Sequence, residues 1–124
     1  MYRIVVAEDH PTSRELIEEL LQGFGYEVVS ACDGQDALDK VKNHDPDLVV
    51  LDVQMPILDG FGVLRQLRGD SRFSHLPIVA LSAYAMRGDR EKGINAGFDA
   101  YLTKPIDAVA LKEQLQSLLN LEPR

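Results

Sequence analysis

The sequence predicts an α/β fold in which five parallel strands alternate with five helices, and two observations support this prediction. Apolar runs of strand character alternate with segments of helical spacing, which is the pattern of an open parallel sheet. The runs are also apolar at nearly every position, as expected for strands that are covered on both faces. They lie at 2–6, 27–31, 48–51, 78–81 and 100–102.

The segments between the strands carry apolar stripes at helical spacing. Thr12 and Glu15 are spaced as a capping box at the start of the first helix, and Asp33 is a candidate N-cap for the second. The fourth segment, 85–97, is polar with internal glycines, so we expect the weakest and most mobile helix there. The other four stripes consist of Leu16, Ile17, Leu20, Leu21 and Phe24; Ala37, Leu38 and Val41; Val63, Leu64 and Leu67; and Leu111, Leu115, Leu118 and Leu119.

Length, charge and cysteine content limit the possible classes of protein. The chain has 124 residues, which fits a single domain over 1–124. Its formal net charge of −7 disfavours direct binding to nucleic acid, because nucleic acid is itself a polyanion. No apolar run approaches the roughly 20 residues that a membrane-spanning helix needs. A single cysteine, Cys32, excludes an internal disulfide and favours the reducing cytoplasm.

Polar residues with complementary chemistry follow four of the five apolar runs. They are Glu8 and Asp9 after the first run, Asp52 after the third, Ser82 after the fourth and Lys104 after the fifth. In an open parallel sheet, ligands bind beyond the carboxyl ends of the strands, where the strand order reverses. We therefore expect these side chains to converge on one edge of the sheet.

Three carboxylates and one amine at one edge are suited to phosphoryl transfer. The acids repel one another, and a hard divalent cation with oxygen ligands, such as Mg²⁺, relieves that repulsion. Asp52 is then a candidate nucleophile towards phosphorus, Lys104 a cation for phosphate oxygens and Ser82 a hydroxyl donor. Taken singly, each residue also fits a structural role such as a helix cap, a strand-end turn or a solvated charge. The functional interpretation depends on their lying together.

Four motifs that occur in order along the chain resemble those of the receiver domain of two-component response regulators. VVAEDH at 5–10 resembles the acidic pair after the first strand, and LVVLDVQMPILDG at 48–60 resembles the phosphoacceptor motif, including the Asp-Gly that opens the third helix. PIVALSA at 77–83 is similar to the Ser/Thr-Ala step, and GFDAYLTKP at 97–105 to the segment with an aromatic residue and a Lys-Pro pair. The resemblance covers 1–119 and implies a flavodoxin-like, doubly wound (βα)5 fold with strand order 2-1-3-4-5.

The resemblance implies a role for each residue at the expected site. Asp52 is the expected phosphoacceptor, and Lys104 is expected to contact the phosphoryl group. Asp9, Asp52 and the backbone carbonyl of Gln54 are expected Mg²⁺ ligands, with Glu8 acting through a bound water. The acidic pair is Glu-Asp rather than Asp-Asp, so the longer Glu8 is expected to alter metal affinity.

The resemblance also implies how phosphorylation becomes a signal. Ser82 is expected to move towards the phosphoryl group, and Tyr101 to turn inward into the space that Ser82 leaves. This movement would change the surface formed by 84–119, as a population shift biased by a local charge. The Lys104–Pro105 bond is expected to be cis, and Tyr84 is a candidate screen against hydrolysis of the acyl phosphate.

The expected partners are a sensor histidine kinase or a histidine phosphotransfer protein, and a downstream protein target on the 84–119 surface. We expect no direct contact with nucleic acid or membrane, and either a monomer or a phosphorylation-dependent dimer. The chain is not expected to be an enzyme beyond Mg²⁺-dependent self-phosphorylation and autodephosphorylation. The sequence does not separate a stand-alone receiver from a domain of a hybrid kinase or of a longer regulator.

Three other readings use the same fold or the same residues. A haloacid dehalogenase-type hydrolase needs a second acid two residues after its nucleophile, where this chain has Gln54, and usually a cap domain. A flavodoxin-like flavin binder needs a phosphate loop after the first strand, where AEDHPTS at 7–13 is acidic. A degenerate receiver would bind partners without phosphorylation, although every residue that the chemistry needs is present. A P-loop enzyme is excluded, because GxxxxGK[ST] does not occur.

Overall fold

The computed structural model describes residues 1–83, 86 and 88–121. Strands and helices alternate along this part of the chain, as predicted. No helix within it is long and apolar enough to cross a membrane. The elements are β1 (Arg3–Ala7), α1 (Pro11–Gly23), β2 (Glu27–Ala31), α2 (Gly34–His44), β3 (Leu48–Asp52), α3 (Gly60–Arg68), β4 (Ile78–Ser82), α4 (Asp89–Ala96), β5 (Ala100–Thr103) and α5 (Ala108–Leu121).

All the strand pairs are parallel, and the strand order is β2-β1-β3-β4-β5. This order confirms the predicted doubly wound α/β fold. The order reverses between β1 and β3, because β2 lies on one side of β1 and β3 on the other. The carboxyl ends of β1 and β3 therefore face a crevice, and in such sheets this crevice is where ligands bind.

Both faces of the sheet are buried, which explains why the strands are almost entirely apolar. Alternate residues of a strand point to opposite faces. In β1, Ile4 and Val6 pack with residues of α1 and α5, whereas Val5 and Ala7 pack with residues of α2 and α3. The sheet is thus a rigid layer between two sets of helices.

Four of the five strands end one residue later than the sequence predicts. The extension matters at two of them, because β3 ends at Asp52 and β4 at Ser82. Asp52 is paired with Leu81, and Ser82 with Thr103. Both polar residues are therefore part of the sheet, so the backbone of neighbouring strands fixes their positions.

Two aspartates cap helices: Asp33, as predicted, and Asp59, for which no cap was predicted. The Asp33 carboxylate accepts a hydrogen bond from the backbone N–H of Asp36 at 2.7 Å, at the start of α2. The Asp59 carboxylate accepts one from the N–H of Gly62 at 2.9 Å, at the start of α3. Such caps satisfy backbone donors that have no partner within the helix.

The capping box predicted at Thr12 and Glu15 is wrong. α1 begins two residues earlier than a Thr12 N-cap would place it, at Pro11, with His10 at the N-cap and no side-chain cap hydrogen bond. Proline suits the first helical position, because its fixed φ is helical and that position needs no N–H donor. Pro11 therefore starts the helix and leaves Thr12 within the first turn.

The fourth helix is shorter than the predicted segment 85–97. α4 covers Asp89–Ala96 and is flanked by Gly88 and Gly97, whose φ angles are +96° and +123°. These left-handed conformations suit glycine and interrupt a helix at both ends. Residues 84, 85 and 87 lie outside the described residues, and with them the screening role predicted for Tyr84.

Candidate functional site

The carboxyl edge, by which we mean the ends of β1, β3, β4 and β5 with the residues just after them, brings the predicted site residues together. Lys104 Nζ lies 2.8 Å from Asp52 Oδ2 and 3.0 Å from Glu8 Oε1. Glu8, Asp9 and Asp52 each offer a carboxylate oxygen, and these oxygens lie within 4.8 Å of one another. Three acids and one amine thus share a small volume, as the sequence predicts.

Asp52 is held in place by two contacts besides its strand pairing. Its Oδ1 accepts a hydrogen bond from the backbone N–H of Gln54 at 2.9 Å, and its Oδ2 contacts Lys104. The Gln54 side chain extends across to β4, where its Nε2 donates to Ser82 Oγ at 3.3 Å. The end of β3 is therefore connected through Gln54 to the hydroxyl at the end of β4.

The backbone behind Asp52 leaves room for no side chain at Gly60, the first residue of α3. A Cβ atom there would lie 2.8 Å from Val53 Cα and 2.9 Å from the Asp52 carbonyl oxygen. The Gly60 N–H donates to the Val53 carbonyl at 2.9 Å. This close approach explains the Asp-Gly pair at 59–60, because Asp59 caps α3 and Gly60 packs it against β3.

Glu8 has the most unusual environment of the three acids. It is fully buried, and burial, together with the neighbouring Asp52 carboxylate, raises the pKa of Glu8 from 4.5 to about 7 against the opposing effect of Lys104. Its Oε1 contacts Lys104, whereas its Oε2 is buried without a hydrogen-bond partner among the described residues. A buried oxygen of this kind requires an explanation, since such groups are nearly always paired.

Lys104 is placed by the backbone after β5. Its N–H donates to the Ser82 carbonyl at 2.8 Å, and the Lys104–Pro105 bond is cis, as the resemblance implied. Burial alone lowers the pKa of Lys104, but hydrogen bonds to Asp52 and Glu8 outweigh it and raise the pKa. The amine is therefore a fixed positive charge between two carboxylates.

Tyr101 lies in β5 with its side chain on the α4 side of the sheet. The residue is only 6% exposed and borders a groove of about 690 Å³ between α4 and the loop that joins β3 to α3. Asp9 and Gln54 also line this groove, so it opens from the acidic cluster. The sequence did not distinguish a buried Tyr101 from a half-buried one, and the structure buries it.

Arg14 touches the site, and sequence reasoning missed it. Its Nη1 donates to the Glu8 carbonyl oxygen at 2.9 Å, and its Nε lies 3.8 Å from the Glu18 carboxylate within α1. The guanidinium thus holds the backbone of the acidic pair against the first helix. Nothing in the sequence separates Arg14 from other charged residues on an amphipathic helix, because the contact depends on how the loop folds back.

The three carboxylates have the chemistry of a site for a hard cation. Mg²⁺ prefers oxygen ligands and is usually held by one or two carboxylates, with water or phosphate completing its shell. The unpartnered Glu8 Oε2 is consistent with a water or cation on that side of the carboxylate. Glu8, Asp9 and Asp52 are therefore the residues that fit a metal at this edge.

Comparison with known proteins identifies the class to which this fold and site belong. The sequence profile of the response regulator receiver domain matches residues 4–116. The chain therefore belongs to the response regulator receiver domain family of two-component signalling systems. The four motifs that carried the resemblance all lie within the matched region.

Individual relatives support the same assignment over almost the whole chain. The chain is 34% identical over 116 residues to the polar-differentiation response regulator DivK of Brucella ovis, covering 94% of each protein. It is 34% identical to the receiver domain of a sensor histidine kinase from Pseudomonas aeruginosa, solved with a magnesium ion coordinated in its active site cleft. That comparison has a TM-score of 0.88 and covers 96% of this chain and 98% of the other. The receiver domain of the Francisella response regulator 1452 is 29% identical, with a TM-score of 0.91 and 98% coverage of both chains.

Proposed function

We propose that this receiver domain accepts a phosphoryl group on the Asp52 carboxylate from a phosphohistidine of a sensor histidine kinase or histidine phosphotransfer protein. The arrangement of Lys104 between Asp52 and Glu8, beside Asp9, carries this proposal. It supplies a nucleophile, a fixed cation and a set of oxygen ligands at one point, which are the parts that phosphoryl transfer needs.

In the transfer, an Asp52 carboxylate oxygen attacks the phosphorus atom. The phosphorus–oxygen bond forms as the bond from phosphorus to the histidine nitrogen breaks, and that nitrogen takes up a proton. The products are an acyl phosphate on Asp52 and a neutral histidine. Lys104 stabilises the charge on the transferred phosphoryl oxygens, because its ammonium group is already fixed beside the nucleophile.

Glu8, Asp9 and Asp52 would hold the Mg²⁺ cofactor, with the Gln54 backbone carbonyl as a further ligand and Glu8 acting through water. When bound, the ion supplies positive charge that offsets the carboxylates and the phosphoryl oxygens. The acidic cluster and the magnesium ion in the similar Pseudomonas aeruginosa receiver support this assignment.

The phosphoryl group would act on the rest of the domain through Ser82. Its hydroxyl is buried at the site and joined to Gln54, so a new acceptor on Asp52 competes for it. Movement of Ser82 would change the packing of Tyr101, which lies on the next strand. Because Tyr101 packs against α4, the surface formed by 84–119 is the part that a downstream protein would recognise.

The proposal also covers what the chain is expected not to do. We propose that it turns over no external substrate and carries out only its own Mg²⁺-dependent phosphorylation and dephosphorylation. Receiver domains interact with histidine kinases and downstream targets, and we expect the same of this chain, as a monomer or a phosphorylation-dependent dimer. A cytoplasmic location fits these partners.

The test is the intact mass of the chain after incubation with acetyl phosphate, with and without Mg²⁺. We expect one added phosphoryl group that requires Mg²⁺ and is absent from Asp52→Asn. Asp39→Asn is the matched control, because Asp39 is an exposed aspartate on α2. An adduct that persists in Asp52→Asn would overturn the assignment of the phosphoacceptor.

A receiver that accepts a phosphoryl group only from a protein donor would show no adduct with acetyl phosphate, so a protein donor completes the test. A phosphorylated histidine phosphotransfer domain replaces acetyl phosphate in the same assay. Absence of an adduct with both donors, at saturating Mg²⁺, would show that the chain is a receiver that binds partners without phosphorylation.

A further inference from the structure

The middle of α4 contains a glycine that the helix itself does not need. Gly93 lies in a helix of eight residues, Asp89–Ala96, and is the buried residue of that helix. Glycine within a helix is less favourable than alanine, because it loses more backbone freedom on folding. A short polar helix has little other stabilisation to offset an unfavourable glycine. We therefore expect the packing around Gly93 to require it.

The packing reason is the ring of Tyr101. A Cβ atom at Gly93 would lie 2.5 Å from Tyr101 Cδ2 and 3.0 Å from Cε2. Its next contact, Phe98 Cδ2, would be at 3.5 Å, an ordinary van der Waals distance. The bare backbone of α4 at Gly93 is thus the surface on which the buried tyrosine ring lies.

The ring and the helix differ in how easily each can move. The backbone of Tyr101 is paired with Ala80 of the neighbouring strand, which fixes its Cα position. Its side chain can still rotate about χ1 to another staggered conformation. A methyl group at residue 93 therefore displaces the ring from its seat on α4, or pushes α4 away from β5.

We infer that Gly93 is a positioning residue for Tyr101, because it supplies the room in which the ring is buried. Any larger side chain at 93 favours the packing in which the ring turns towards solvent. The inference adds to the proposed switch a determinant on α4, so that the position of Tyr101 depends on this helix as well as on Ser82. This consequence for signalling rests on the proposed function, whereas the contact itself does not.

The first test follows the ring directly. In protein labelled with ¹³C at tyrosine, we expect nuclear Overhauser contacts between the Tyr101 ring and the Gly93 α-protons. In Gly93→Ala, the ring resonances should shift and the contacts to residue 93 should weaken at least several-fold. Asn95→Ala is the matched control, because it also introduces alanine into α4 but at an exposed position. Ring resonances that move no more in Gly93→Ala than in Asn95→Ala would overturn the inference.

The second test covers the case in which Gly93→Ala folds poorly. Gly93→Ala is made in the wild type and in Tyr101→Ala, and the urea midpoint of each protein is measured. We expect Gly93→Ala to lower the midpoint when the ring is present and to raise it when the ring is absent, because only helix propensity then remains. If Gly93→Ala lowered the urea midpoint equally in both backgrounds, the new methyl group would clash with something other than the Tyr101 ring, and the inference would be overturned.

The last measurement connects the contact to the switch. Beryllofluoride with Mg²⁺ serves as the phosphoryl mimic, and its affinity is followed by titration. Because phosphorylation is expected to turn the Tyr101 ring inward, Gly93→Ala should weaken the binding of the mimic several-fold, and Tyr101→Ala should abolish that difference, as linkage requires. An unchanged affinity in Gly93→Ala, with the ring displaced, would overturn the role of Gly93 in the switch. Failure of the proposed function appears separately, as the absence of a phosphoryl adduct on Asp52 in the wild type.

Discussion

The two edges of the sheet each hold a cation that joins neighbouring strands, but the two cations have different surroundings. At the carboxyl edge, Lys104 contacts Asp52 and Glu8. At the amino edge, where the strands begin, Arg68 contacts Asp99 at 2.8 Å. The Lys104 and Arg68 side chains are 24% and 23% exposed, so exposure does not account for the difference.

The amino edge is a saturated network. Arg68 donates to the carbonyl oxygens of Leu76 at 2.7 Å and Gly97 at 2.9 Å, in addition to its contact with Asp99. Asp99 Oδ2 also accepts from the backbone N–H of Ile78 at 2.8 Å. The guanidinium therefore fastens the end of α3 to the start of β4 and to the turn before β5, and its role is structural.

At the carboxyl edge, by comparison, the carboxylates have fewer hydrogen-bond partners. Lys104 pairs with two of the three clustered carboxylates, and Glu8 Oε2 is buried without a hydrogen-bond partner among the described residues. Polar groups in a folded protein are nearly always paired, so incomplete pairing marks the place where a ligand completes the set. In this chain, the ion pair whose hydrogen bonds are incomplete is the one at the candidate functional site.

The largest expected effect is on phosphorylation, from replacing the cation at the carboxyl edge. Lys104→Met should slow phosphorylation of Asp52 by about 100-fold, because a positioned charge that stabilises the transferred group is lost. The rate is measured from intact mass against time with acetyl phosphate and Mg²⁺. Lys112→Met, at an exposed position on α5, is the control, and an equal loss of rate there would contradict the role of Lys104.

The next effect is on stability, from replacing the cation at the amino edge. Arg68→Met should lower the free energy of unfolding by about 2 kcal/mol, because carbonyls and a carboxylate lose a charged donor. Phosphorylation of Asp52 should keep the wild-type rate at temperatures where the variant is folded. Urea unfolding and the mass assay together check this separation. An Arg68→Met variant that is as stable as the wild type but is phosphorylated slowly would contradict the structural role of Arg68.

The carboxyl edge was predictable from the sequence, because its chemistry depends on where strands end. Apolar runs locate the strands, and the parallel topology brings residues after those runs to one place. Asp52, Glu8 and Lys104 could thus be assigned without coordinates. The strand ends differed by one residue, because the last pairings of Asp52 and Ser82 depend on the neighbouring strands.

The amino edge and the α4 contact were not predictable, because they depend on packing between distant segments. Arg68 and Asp99 are 31 residues apart, and nothing in the sequence singles out either residue. Gly93 looks like a weakness of a polar helix until the ring of Tyr101 is placed against it. The failed capping box at Thr12 has a local cause, since Pro11 starts the helix earlier.

A smaller effect concerns the loop after β3, where the carboxyl edge also holds a strained turn. Ile57 has φ of +73°, and the Leu58 N–H donates to the Pro56 carbonyl at 2.8 Å, as in a strained γ-turn. The amino edge has Asp45 at φ +48°, but aspartate tolerates that region better than a β-branched residue. The strained backbone at Ile57 thus lies on the same side of the sheet as the candidate functional site, where backbone strain is often found in proteins.

Ile57→Gly should raise the free energy of unfolding by about 0.5 kcal/mol. Glycine removes the conformational energy that isoleucine pays at a positive φ. This gain exceeds the stability that is lost because glycine increases the conformational entropy of the unfolded chain. Little burial is lost, because Ile57 is 81% exposed. Ile57→Ala is the control, since alanine removes the side chain but retains most of the conformational cost. An equal gain in Ile57→Ala, measured by urea unfolding, would show that the side chain rather than φ is responsible.

The effect that tests the unpaired acid itself is the pH dependence of stability in the presence of a metal chelator. Burial, with Asp52 adding to it against Lys104, raises the pKa of Glu8 from 4.5 to about 7. The folded chain therefore binds the Glu8 proton more tightly than the unfolded chain does. This contribution to stability is fully present below about pH 4.5 and is lost as pH rises through 7.

Glu8→Gln removes this titration, and Asp9, Asp52 and Lys104 are the charged groups that still face the position. The variant should therefore gain stability relative to the wild type as pH rises from 4.5 to 8, which urea unfolding at several pH values measures. Glu27→Gln, which removes a carboxylate paired with Arg3 at the amino edge, is the matched control. A relative gain of the same size in both variants would mean that the two edges do not differ in the way their acids are paired. A gain in relative stability that occurs only in Glu8→Gln would show that ionising the buried, incompletely paired Glu8 carboxylate is what destabilises the wild type as pH rises.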